Sequence, residues 1–134
     1  MLLENRVAVI TGGASGMGRA MALKFAAEGC DVVVNDIQEE KAAEVAGAIR
    51  ASGRGAVAVR ADVSRGEDIR SLVDRAVEAF GKIDILVTNA GAAGGADLEH
   101  SDEQEWDRVM ALNLKGAFLL CKAAVPHMKE RRYG

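Results

Sequence analysis

The stretch Ile10–Ala20, ITGGASGMGRA, places four glycines (Gly12, Gly13, Gly16 and Gly18) within seven residues, between the apolar run Val7–Ile10 and a segment of helical composition. A plain strand-to-helix turn needs one glycine, so the set asks for a further reason. The dinucleotide fingerprint G-x-G-x-x-G fails, because from Gly12 it requires glycine where Ala14 and Met17 stand. A triphosphate-binding P-loop fails too. Gly13 and Gly18 have its separation, but Arg19 and Ala20 replace the lysine and the hydroxyl that reach phosphate and Mg²⁺. The spacing that fits is T-G-x-x-x-G-x-G, on Thr11, Gly12, Gly16 and Gly18. Gly12 allows a sharp exit from the strand, Gly16 leaves room for a diphosphate against the backbone, and Gly18 lets the helix lie close to the sheet. The anion then meets unpaired N–H groups at the helix start.

Outward from this loop, strands and helices alternate. Short β-branched runs at Val7–Ile10, Val32–Val34, Ala56–Val59 and Ile83–Val87 are mostly continuous, as suits strands covered on both faces. Between them, Ala42, Val45, Ala46 and Ile49, and then Ile69, Leu72, Val73, Ala76, Val77 and Phe80, step by three or four as on helices. Ser64 with Glu67 and Ser101 with Gln104 read as capping boxes, and Gly29, Gly53 and Gly81 stand where helices end. The stretch from Glu103 to about Arg131 reads as one or two helices that Pro126 bends or ends. The expectation is an α/β fold: a Rossmann-type, doubly wound parallel sheet of about four strands in the order 3-2-1-4, with helices on both faces.

Composition narrows the function classes. The chain has 134 residues, 49% of them hydrophobic and 28% charged, which suits a single globular domain. A net charge of −3 argues against nucleic acid or an anionic membrane as partner. No run reaches the ~18 apolar residues of a membrane span, and Glu4 and Arg6 break the apolar start, so a cytoplasmic chain is expected. Cys30 and Cys121 lack Cys-x-x-Cys or Cys/His ligand spacing and read as small hydrophobes, and His100 and His127 have no companion ligands. No metal is expected.

Taken with TGGASGMG (Thr11–Gly18), the acidic Asp36, the pair Asp62-Val63, the block TNAG (Thr88–Gly91) and NLKG (Asn113–Gly116), the chain resembles the short-chain dehydrogenase/reductase family over essentially its whole length. Thr88 departs from the pattern, which commonly has a second asparagine there. The resemblance implies an NAD-dependent oxidoreductase moving hydride between nicotinamide and an alcohol or carbonyl substrate. It carries cofactor contacts onto Gly12, Ser15, Gly16, Met17 and Gly18 in the loop, and onto Asp36 and Ile37 after the second strand. It also implies Asp62 and Val63 at the adenine, and Asn89, Ala90 and Gly91 at the ribose and nicotinamide. Asn113 matches an active-site asparagine whose auxiliary role is to hold a water chain running to a catalytic lysine.

Several of these residues also admit plainer roles. Asp36, 18 residues after Gly18, could accept both adenosine ribose hydroxyls and repel a 2′-phosphate, favouring NAD over NADP. It could also cap a helix, with Glu39 at capping-box distance. Ser15 stands where NADP-using relatives often carry a base. Asp62 could simply lead a turn into a Ser64 cap, and Asn113 could cap or kink a helix. The loop Ala92–His100 is expected to border the substrate pocket.

In the family a serine and a Tyr-x-x-x-Lys motif do the chemistry; the one tyrosine here is Tyr133, and the chain runs to Gly134. Residues 1–134 are therefore expected to form a single, incomplete NAD-binding domain, the N-terminal portion of a larger enzyme and inactive alone. The fourth strand should present an unpaired edge, and self-association to a homo-oligomer is expected there or through the long apolar helices. A non-catalytic dinucleotide-binding or interaction module, or a truncated scaffold, is the alternative.

Overall fold

The computed structural model describes all 134 residues. β1 (Val7–Thr11), α1 (Gly16–Ala27), β2 (Asp31–Asp36), α2 (Glu39–Ala51), β3 (Ala56–Arg60), α3 (Gly66–Phe80) and β4 (Ile85–Val87) alternate along the chain. A long helix in three parts follows: α4 (Glu103–Met110), a π-helical turn (Ala111–Lys115) and α5 (Gly116–Arg131). The strands are all parallel and ordered β3-β2-β1-β4, the expected 3-2-1-4.

Parallel register turns the continuous apolar runs into two cores. Val57, Val33, Val9 and Leu86 stand side by side across the sheet and face α3 and α5, packing with Ile69, Leu72, Val73, Leu120 and Ala124. Ala58, Val34, Ile10 and Val87 form the adjacent row on the opposite face, against Ala22, Ala26, Val45 and Ile49 of α1 and α2. Because side chains alternate faces, each central strand must be apolar at every position. Burying each large aliphatic here contributes about 1.5–3 kcal/mol. α3 ends where expected, at Gly81, whose φ of 73° closes a bond from its N–H to the Val77 carbonyl.

Four local expectations are corrected. The fourth strand starts at Ile85, two residues later than the apolar run suggests, because Asp84 is buried and its carboxylate turns back to accept from the Val7 amide at 2.9 Å and to pair with Lys82 Nζ at 2.8 Å. Ser64 does not cap α3: its hydroxyl donates to Asp62, and Arg65 holds the cap position with no side-chain bond. Ser101 likewise gives way to Asp102, whose carboxylate accepts from the Glu105 amide at 2.8 Å. Pro126 lies inside α5 and does not end it. By length and composition the 29-residue helix Glu103–Arg131 is also long and apolar enough to cross a bilayer, a feature the sequence reading missed. In the fold its α5 part buries Leu120 and Ala124 against the sheet and α3.

Candidate functional site

The carboxyl ends of β1, β2, β3 and β4 open onto a cleft of about 500 Å³, the place where an open parallel sheet presents its loops around a topological switch point. Gly12, Ser15, Met17, Asp36 and Ile37 line its first half, and Asp62, Val63, Asn89, Ala90 and Gly91 line the second. Two of the expected cofactor residues, Gly16 and Gly18, act on the cleft through backbone geometry instead.

Gly18 is required by contact: a Cβ there would stand 2.0 Å from the Gly12 carbonyl oxygen and 2.7 Å from Asn89 Nδ2. Gly16 is required by conformation and by room, with φ of +52° and nothing within 4 Å of an added Cβ. No side chain caps α1, and the first turn holds no acidic residue, so its leading amides face the space beside Gly16 without an internal acceptor. That combination fits a diphosphate seated at a helix start.

Asp36 ends β2 with only 8% of its surface exposed. One carboxylate oxygen accepts from the Ala14 amide at 3.1 Å and the other from the Gln38 amide at 3.0 Å. It is not the cap of α2, which begins at Glu39 behind Gln38; the Gln38 bond is instead a local turn made by an Asp two residues earlier. Each oxygen keeps a lone pair for a ligand hydroxyl in the cleft. Across the cleft the hydroxyl and amide of Ser64 hold Asp62 Oδ1 at 2.6 and 2.9 Å, and these bonds keep the Asp62 carboxyl below the usual carboxylate range. Val63 is packed under the long helix, where a Cβ on Gly116 would come within 2.5 Å of the Val63 carbonyl oxygen.

Asn113 sits in the π turn outside the cleft lining. Its side chain brackets one residue of the loop after β4, accepting from the Ala92 amide at 2.9 Å and donating to the Ala92 carbonyl at 2.8 Å. It caps no helix. The π turn that holds it is of a kind that tends to mark functional positions.

Asn35, Gln38, Arg108 and Leu112 went unnoticed in the sequence, and Thr11 was read only as the start of the glycine motif. Buried Thr11 and Asn35 tie the strand ends together: the Thr11 hydroxyl donates to the Val87 carbonyl, and Asn35 Nδ2 donates to the carbonyls of Val59 and Ala61 at 3.0 and 3.1 Å. A polar residue closing an all-apolar run, as Asn35 does after Val32–Val34, was the available signal. Gln38, Arg108 and Leu112 also line the cleft; the last two come from the long helix, and nothing local in the sequence marks them.

The comparisons agree with this geometry. Residues 6–134 match the family described as short chain dehydrogenase. Among curated proteins, the chain is 42% identical over its full length to the (2S)-[(R)-hydroxy(phenyl)methyl]succinyl-CoA dehydrogenase subunit BbsD of Thauera aromatica, covering 54% of that protein. It is 41% identical to 3beta-hydroxysteroid dehydrogenase 1 of Eggerthella lenta, over 97% of this chain and 50% of that one. It is 38% identical to the 3-oxoacyl-[acyl-carrier-protein] reductase FabG of Staphylococcus epidermidis, over 97% of this chain and 54% of the reductase. The chain thus spans about half the length of the curated relatives it matches. With a parallel 3-2-1-4 sheet, a glycine loop opening α1 and a family match over nearly every residue, the chain belongs to the short-chain dehydrogenase family, which implies a nicotinamide cofactor.

Proposed function

We propose that these 134 residues are the cofactor-holding portion of an NAD-dependent oxidoreductase acting on an alcohol or carbonyl substrate. The observation that carries the reading is Asp36, a carboxylate held rigid by two backbone amides on the wall of the cleft, 22 positions from the Ala14 amide that it engages. A fixed negative charge there favours ribose hydroxyls and repels a 2′-phosphate. Support for NAD over NADP also comes from Ser15, which brings no positive charge to the loop.

In this reading the first-turn amides of α1 hold the diphosphate, Asp36 orients the adenosine ribose, Val63 and Leu112 give the adenine an apolar seat, and Asp62 supplies an acceptor beside it. Asn89, Ala90 and Gly91 form the wall for the nicotinamide half, whose chemistry when bound is hydride transfer. No Tyr-x-x-x-Lys occurs in residues 1–134, so the chain alone is proposed to bind and not to turn over. Self-association is part of the proposal: Trp106, Leu114 and Phe118 on the long helix are 66%, 61% and 62% exposed, an apolar display that suits a second copy. Two free thiols suit a reducing compartment and a cytoplasmic home.

Titration calorimetry with NAD and NADP tests the reading. Heat on NAD addition, with binding at least about tenfold tighter than NADP, is expected. Preference for NADP, or no heat with either, overturns it, the latter favouring a scaffold that binds no nucleotide.

A further inference from the structure

The loop that leaves β4 is laced to the long helix by side chains that the cleft alone does not explain. Glu105 Oε1 accepts from the Gly95 amide at 2.6 Å, and Arg108 Nη2 donates to the Ala93 carbonyl at 3.4 Å. Asn113 then brackets Ala92. Residues 105, 108 and 113 of the helix therefore meet 95, 93 and 92 of the loop, in opposite directions. Residues 105 and 108 share a helix face. In an unbroken α-helix that face would next present residue 112, and the wider π turn brings Asn113 round to it instead.

Glu105 is three residues behind the Asp102 cap, where a glutamate ordinarily reaches back to the cap's own N–H. Here its carboxylate is committed to Gly95, in a short, charge-assisted bond. Ala93, Gly94, Gly95 and Ala96 are exposed and carry no side chain longer than a methyl, so the loop has little packing of its own to hold it. Arg108 faces two ways. It bonds to the loop and also lines the cleft, where it is the one cationic side chain among the lining residues. A guanidinium has five N–H donors, and the Ala93 bond occupies one of them.

We propose that Glu105 and Arg108 are positioning residues that latch Ala92–Gly95 beside the cleft, and that Arg108 couples this latch to a nucleotide bound there. The coupling rests on the dinucleotide reading above; the latch does not. Nucleotide that engages the free donors of Arg108 fixes the guanidinium and with it the Ala93 carbonyl, so a ligand in the cleft orders the loop, and by linkage an ordered loop strengthens binding.

Amide hydrogen exchange on the whole chain, followed residue by residue with and without NAD, tests both halves. Glu105→Ala should speed exchange at Gly95 by about tenfold, while Glu105→Gln, which keeps a carbonyl oxygen at the same reach, should restore most of the protection. NAD should slow exchange at Gly95 in the unmodified chain and not in Arg108→Ala. That variant should also bind NAD about tenfold more weakly by calorimetry, with partial recovery in Arg108→Lys. Unchanged Gly95 exchange in Glu105→Ala overturns the latch. NAD-induced protection and affinity that survive in Arg108→Ala overturn the coupling. Should the unmodified chain bind no NAD while Glu105→Ala still frees Gly95, the dinucleotide reading and the coupling fall and the latch stands.

Discussion

Thr11 and Asn89, 78 residues apart in sequence, bond each other twice: the Asn89 amide donates to the Thr11 hydroxyl at 3.0 Å, and Asn89 Nδ2 donates to the Thr11 carbonyl at 3.0 Å. The same hydroxyl accepts from the Ala90 amide at 3.1 Å and donates to the Val87 carbonyl at 3.2 Å. One buried side chain thus seals β1 to β4 where the ladder stops. Thr11→Val keeps the shape and removes these partners, leaving two amides and a carbonyl short of a bond. A loss of about 2 kcal/mol in unfolding free energy is expected, read from urea denaturation; a change below about 0.5 kcal/mol would assign the seal to Asn89 alone.

Gly16 and Gly18 separate affinity from stability. Gly18→Ala drives a methyl into the Gly12 carbonyl, which is backbone and cannot step aside, so a stability loss of about 2 kcal/mol or more is expected. Gly16→Ala meets nothing in the protein and carries only the strain of a left-handed backbone, about 1 kcal/mol. Its methyl enters the space assigned to the diphosphate, so NAD binding should weaken far more than the melting temperature falls. Calorimetry beside thermal melts distinguishes the two variants, and the reverse pattern would remove the diphosphate from this loop.

Asp62 gives a pH dependence with a definite sign. Its carboxyl is depressed in the fold, first by the Ser64 hydroxyl and then by the Ser64 amide. Its stabilising contribution is therefore fully present above the unfolded value, about 3.9, and is lost as pH falls from there through the depressed folded value. Ser64→Ala removes the hydroxyl, so the folded carboxyl should titrate closer to the ordinary aspartate range and the acid-side loss should shrink. Carboxyl-carbon NMR titration of both proteins measures this.

The two thiols should differ in reactivity. Cys30 is fully buried, and burial pushes its thiol up to about 11, whereas Cys121 is exposed on α5. Under native conditions one equivalent of a thiol reagent should react quickly, at Cys121, and Cys30 only on unfolding. Peptide mapping after brief alkylation identifies the labelled residue; fast labelling of Cys30 would mean that the face between α1, α2 and the sheet opens readily.

The sheet was legible because its physics is local. Continuous β-branched runs and glycine-terminated helices survive as Val7–Thr11, Asp31–Asp36, Ala56–Arg60 and the Gly81 stop. The glycine loop was legible for a related reason: at Gly18 only hydrogen fits, and a requirement that absolute is written in residue type. What stayed hidden depends on competition between neighbours. Ser64 and Ser101 had the right spacing to cap, but the Asp62 carboxylate captured the first hydroxyl and the Asp102 carboxylate displaced the second. Arg108 and Glu105 reach the loop from a helix some ten to fifteen residues away, a distance at which side-chain pairing leaves no periodic trace.

The widened turn at Ala111–Lys115 means that the long helix is two rods spliced with an offset. A regular helix turns roughly 100° per residue and a π turn takes up one extra residue, so excising a single residue from the splice lets it close to α geometry while both rods keep their faces. A deletion on either side of the splice meets no such slack: Glu105 and Arg108 would aim away from their loop if Leu120 and Ala124 kept their seat. Length is thereby most forgiving at Ala111–Lys115 and strictest in the rods that flank it.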